Sequence, residues 1–176
     1  MTHAVQTKNL NVTGDAMSSR AKVLADRIAR GAENIAAYAE QLTDAQWATP
    51  IAPDGRKAGV MIHHVANMYP LEVDIARKLG AGESIRGVTW GVIAEINAKH
   101  AQENAGVGKK ETIELVRKNG KEAAEAIARF TDEMLDNGGT ISLYGDPPLT
   151  CQFWIEDHPL RHSWHHQAKI RAALKL

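Results

Sequence analysis

Apolar residues recur at spacings of three and four along almost the whole chain, a period that packed helices satisfy and strands do not. Leu24, Ile28, Ala32, Ile35, Ala39 and Leu42 set the pattern and predict a first helix from about Ser19 to Leu42. Thr43 or Asp44 then caps a short turn ending at Trp47, and Pro50, Pro53 and Gly55 mark a loop. The pattern resumes over Lys57–Leu79, where Pro70 is expected to kink the helix because it lacks a backbone donor. Further helices are predicted over Thr89–Asn104 and from Lys109 or Lys110 to Phe130. A long loop from Asn137 to Pro148 leads to a last helix over Asp157–Leu174, with Pro159 in its first turn. The expectation is an all-α fold without a substantial sheet.

A chain of 176 residues suits one domain, placed here at 19–176 behind a loose polar leader at 1–18, with Met17 a second candidate start. That leader has no apolar core, so it does not read as a secretory signal. Apolar runs are too short to span a bilayer. The 21 basic residues balance 21 acidic ones, which argues against nucleic acid or an anionic membrane as partner. Cys151 is the single cysteine, which excludes an internal disulfide framework and fits a reducing cytoplasm. Its simplest reading is a small buried apolar residue. Leu42-Thr-Asp is echoed by Phe130-Thr-Asp half a chain length later. Each copy ends a long helix and precedes a histidine-bearing one, so two related halves would set the histidine helices side by side.

Those histidines carry the chemistry. His162 and His166 are one helical turn apart, and His63-His64 lies in an earlier helix. His64 shares a row with Val60, Met68, Leu71, Ile75 and Leu79, whereas His63 falls with Gly59, Asn67, Pro70 and Asp74. His64 is therefore expected to face the core and His63 its edge. On the last helix His162, His166 and Ile170 share a core row, and His165 falls on a wetter face with Arg161 and Lys169. A lone histidine on an apolar face is usually a hydrogen-bonded core residue. Three converging imidazoles are harder to satisfy that way, because each unsatisfied polar nitrogen costs about 1–3 kcal/mol. One divalent metal satisfies three at once and leaves open positions for water or substrate.

Three segments carry a family resemblance. Asp54-Gly-Arg-Lys-Ala-Gly-Val-Met-Ile-His-His-Val-Ala66 resembles the histidine helix of the DinB/YfiT-like superfamily of metalloenzymes. Ile96-Asn-Ala-Lys-His-Ala-Gln-Glu-Asn104 is similar to its third-helix region, and His162-Ser-Trp-His-His-Gln-Ala-Lys-Ile-Arg171 to its terminal helix. The resemblance implies an up-and-down four-helix bundle with extra short helices. It also implies a divalent metal, often zinc, nickel or iron, held by His64, His162 and His166. Family activities imply a thiol S-transferase using a low-molecular-weight thiol as co-substrate, or a related detoxifying enzyme acting on a small electrophile. The alternatives are a metal-dependent hydrolase and a non-catalytic metal-binding protein. Asn97, His63 and His158 are candidate catalytic helpers, with Asn67 beside them, and Tyr69 and Trp164 are candidates for the cavity mouth. Met61, Met68 and Trp164 suggest apolar surroundings. Such bundles often pair through a helix face, so a homodimer is an expectation, although no sequence feature fixes its interface.

Overall fold

A computed structural model describes residues 18–145 and 147–176; residues 1–17 of the expected leader, with the alternative start at Met17, lie outside them. In chain order the elements are α1 (Ser19–Gln41), α2 (Asp44–Trp47), β1 (Pro50–Ile51), β2 (Arg56–Lys57), α3 (Ala58–Gly80), α4 (Trp90–Glu103) and α5 (Lys109–Ile127). They continue with α6 (Asp132–Asp136), β3 (Gly138–Thr140), β4 (Pro148–Thr150), α7 (Cys151–Ile155) and α8 (Arg161–Leu174). The all-α expectation holds: among the described residues the strands form only two small antiparallel pairs, β1 with β2 and β3 with β4.

Four rods make a helical bundle. α1 packs along α5, α5 packs along α3, and α8 rests on both α1 and α3. Leu24, Ile28, Ile35, Ile62, Val65, Ile127 and Ile170 meet in one core and are all buried. Gly120 allows α5 to approach α1 closely, since a Cβ there would meet the Ala32 Cβ at 2.2 Å. The two halves of the weak repeat behave alike. Thr43 accepts a hydrogen bond from the Gln46 amide at 3.2 Å, and Thr131 accepts one from Met134 at 3.1 Å, so each opens a short helix. The predicted helix to Phe130 accordingly stops at Ile127, and α6 begins after Thr131. The fifth long helix, α4, lies outside the bundle with none of its residues buried, and it leans on α3.

Two prolines sit inside helices, and each is accommodated differently. Pro70 lies within α3, which runs unbroken from Ala58 to Gly80. A proline withholds its amide from the carbonyl four residues earlier, here Ala66. The buried Asn119 of α5 supplies the missing donor, its Nδ2 reaching Ala66 O at 2.9 Å. Pro159 corrects the sequence expectation. It is not in a first turn, because the helix already starts at Cys151, capped by Thr150 accepting from the Phe153 amide at 3.1 Å. Residues Glu156–Leu160 form a π-helical turn between α7 and α8. A wider turn relieves the clash of a proline ring with the preceding carbonyl and lets the helix continue. The proline looked like a start signal because the short run Cys151–Ile155 before it carries too few residues to show a period.

Replacing Asn119 by alanine strands the Ala66 carbonyl and is expected to cost about 1–3 kcal/mol in chemical denaturation. In a Pro70→Ala background the restored amide satisfies that carbonyl, so the same Asn119→Ala change should cost about 1 kcal/mol less. Equal costs in the two backgrounds would show that Asn119 does not act through Ala66.

Candidate metal centre

α3 and α8 lie side by side, as the repeat suggested, and bring three imidazoles together. His64 is 5% exposed and His166 6%, and both are embedded in the bundle. Ring centroids are 5.0 Å apart for His64 and His162, 5.4 Å for His64 and His166, and 4.7 Å for His162 and His166. One nitrogen from each ring falls within 4.8 Å of the other two. These are the three rings that the face analysis selected. His63 points to the edge, half-buried, and its Nδ1 lies 3.0 Å from Nε2 of His100 on α4.

A carboxylate completes the cluster. Glu72 of α3 is 1% exposed, and its Oε1 stands 2.8 Å from His162 Nδ1, off the axis of a well-aligned hydrogen bond. Its Oε2 is buried with no partner, as is Nδ1 of His166. A buried carboxylate short of partners is costly unless a positive charge faces it. The donor set therefore fits a divalent metal: three imidazoles, with a carboxylate behind one of them to fix its orientation. Sequence reading placed Leu71 on this row, but Leu71 is 43% exposed. Glu72 takes the place, two helical turns beyond His64, and that spacing was the signal that could have found it. His100 was likewise missed as a site residue, although it follows Asn97 on the same face of α4.

The triad opens into a cavity of about 510 Å³. One wall is apolar: Met68 and Leu71 from α3, and Trp90, Ile93 and Ile96 from α4. The opposite wall carries Tyr144, Asp157 and His158, with Arg161, His165 and Lys169 along α8. Tyr144 donates to Asp157 Oδ2 at 2.6 Å, and its hydroxyl oxygen lies 3.2 Å from His158 Nδ1. The His158 ring stacks on Trp154 with centroids 3.6 Å apart, and Trp154 Nε1 donates to the Glu72 carbonyl at 2.9 Å. Arg56 enters from the β1–β2 hairpin, whose turn uses Gly55 at φ 72°.

Among the expected helpers, His158 and Asn97 line this cavity. Asn97 is half-buried and not enclosed, because α4 lies outside the bundle. Asn67 points outward and is exposed. Tyr69 belongs to the core, fully buried, and Trp164 is 45% exposed on the outer side of α8, so neither forms the mouth. Met61 is core, whereas Met68 reaches the cavity. Cys151 is fully buried with its Sγ 3.2 Å from the Ala76 carbonyl, and burial pushes its thiol up to about 12, so it is a packing residue.

Burial, reinforced by the neighbouring His162 and Arg56 charges, pushes His64 down to about 2. Burial also lowers His166, followed by the charges of His162 and His64. Both rings are thus neutral at pH 7, the form that offers a lone pair to a metal. In the unfolded chain the same rings titrate near pH 6.5, so the unfolded state takes up protons first as the pH falls. The metal-free protein should keep this stability above about pH 6.5 and lose about 1.4 kcal/mol per pH unit for each of the two rings below it. Thermal melts of the chelator-treated protein between pH 7 and 4.5 test this, and His64→Gln should show about half the slope. A flat profile would contradict the burial of the two neutral rings.

The DinB superfamily model matches residues 27–170. No curated protein matches the sequence. Among solved structures the fold is similar to that of YfiT from Bacillus subtilis, described as a probable metal-dependent hydrolase with an unusual four-helix bundle topology. The match has a TM-score of 0.64 at 13% identity and covers 93% of this chain and 89% of that one. A family match over most of the chain, a bundle of the same fold and three converging histidines agree: the chain belongs to the DinB superfamily.

Proposed function

We propose that this protein is a metal-dependent enzyme acting on a small molecule, with one divalent cation held by His64, His162 and His166. The observation that carries the reading is the convergence of these three imidazoles, backed by the buried Glu72, on a cavity of about 510 Å³. A cation there supplies Lewis acidity, polarising a substrate oxygen and lowering the pKa of water or a thiol. The three nitrogens suit zinc, nickel and iron alike. Glu72 orients His162. Met68, Leu71, Trp90, Ile93 and Ile96 give the cavity an apolar lining against which an organic substrate can pack.

The polar wall handles the proton. The Tyr144 hydroxyl donates its hydrogen bond to Asp157, so a His158 Nδ1–H donates to the Tyr144 oxygen. That tautomer leaves His158 Nε2 as an acceptor at the cavity wall. Burial lowers the His158 pKa, which keeps the ring neutral and able to take a proton at pH 7. A neutral acceptor beside a metal centre favours hydrolysis, the activity also suggested for YfiT. The second reading is a transferase using a low-molecular-weight thiol. It is favoured by the volume and apolar wall of the cavity, which suit an organic electrophile.

Elemental analysis of untagged protein should give about one divalent metal per chain. His64→Ala and His166→Ala should each lose most of it, while His63→Ala and His165→Ala should keep it. His158→Ala should keep the metal and lose turnover about 100-fold or more. Full occupancy in His64→Ala would refute the ligand set. Turnover that needs an added thiol selects the transferase, and turnover without one selects the hydrolase.

A further inference from the structure

Arg56 is the only guanidinium of the β1–β2 hairpin, and its placement is unusual. Its side chain is 10% exposed, although the hairpin around it is a surface turn. Asp54 holds one edge of the fork: its Oδ2 accepts from Nε at 2.9 Å and forms an ion pair with Nη2 at 2.8 Å. The Arg56 amide donates to Asp54 Oδ1 at 3.1 Å, which locks the turn. The remaining nitrogen, Nη1, is buried and has no partner among the described residues. Arg56 lines the same cavity as the triad, and its charge is felt at His64 and His166.

A guanidinium cannot shed its proton, so a buried unpaired N–H edge persists as an unmet demand for an acceptor. The demand is local. Asp54 neutralises the outer edge, while Lys169 and Arg161 add further positive charge along the same cavity. The acidic residues on that cavity do not pair with Arg56 among the described residues: Asp157 accepts from Tyr144 and Arg161, and Glu72 stands against His162 with its second oxygen unpartnered. Structural arginines normally satisfy all their donors within the protein. Here one edge is fixed in place and the other is left unmatched, in a cavity also lined by Met68, Trp90, Ile93 and Ile96.

We infer that Arg56 anchors the substrate through a carboxylate or similar oxyanion, and that the substrate is an amphipathic anion whose apolar body lies against α4. The inference rests on the cavity being the substrate site of the proposed enzyme. A planar fork suits a carboxylate, and the charge-assisted bond fixes one end of the molecule while the triad faces another part of it.

Benzoate and its neutral isostere benzamide are suitable probes, titrated calorimetrically into zinc-loaded and chelator-treated protein. Benzoate should bind wild-type protein about ten-fold or more tightly than benzamide, and Arg56→Gln should lose most of that preference while keeping its zinc by elemental analysis. Arg56→Lys should recover part of it, since the charge remains and the fork is gone. The inference is overturned if Arg56→Gln binds benzoate as wild type does, or if Arg56→Gln loses its zinc. Wild-type protein that takes up no zinc yet keeps an Arg56-dependent preference would remove the metal reading and leave the anion anchor standing.

Discussion

A carboxylate buried among imidazoles sets the terms for this structure. Glu72 is 1% exposed, one of its oxygens lacks a partner, and it faces a ring belonging to a cluster of three. Neutral His64 and His166 cannot balance that charge. Burial holds His64 and His166 in their neutral forms, so protonation is not the answer for those two. A cation between the rings resolves both demands, giving the lone pairs something to bind and the carboxylate a counter-charge. Without it the cluster is an expense that a bundle of this size has no stability reason to carry.

The remainder of the fold keeps that cluster in register. α3 supplies both His64 and Glu72, so any bend between them would separate the ligand from its neighbour's partner. Pro70 falls between the two, and Asn119 covers the carbonyl it leaves open. On the other side Trp154 ties α7 to the Glu72 carbonyl and offers its face to His158. The π-helical turn at Glu156–Leu160 then lets the same rod continue past Pro159 and present His162 and His166 to α3. π turns are rare within helices and recur at functional sites, and this one carries His158, which lines the candidate cavity.

The helices and the triad were legible in the sequence because both depend on local period. A 3.6-residue repeat separates His64 from His63 and His166 from His165 before any tertiary contact is known. What escaped depends on packing across elements. Glu72 sits on the His64 row, but a glutamate is normally a surface residue, and only the depth of the cluster explains its burial. His100 acquires its neighbour His63 only once α4 leans on α3. Tyr69 and Trp164 were expected at the mouth because aromatics near a site often line it. The bundle instead turns Tyr69 into the core and leaves Trp164 outside. Pro159 was read as a helix start because sequence period cannot foresee a turn that breaks the period.

Anomalous diffraction from crystals of the zinc-loaded protein, recorded at the zinc edge, tests the central claim most directly. The account predicts one strong peak per chain among His64, His162 and His166, with Glu72 outside the ligand set beside His162. A peak between His63 and His100, or the absence of any peak within the triad of a fully loaded crystal, would contradict it.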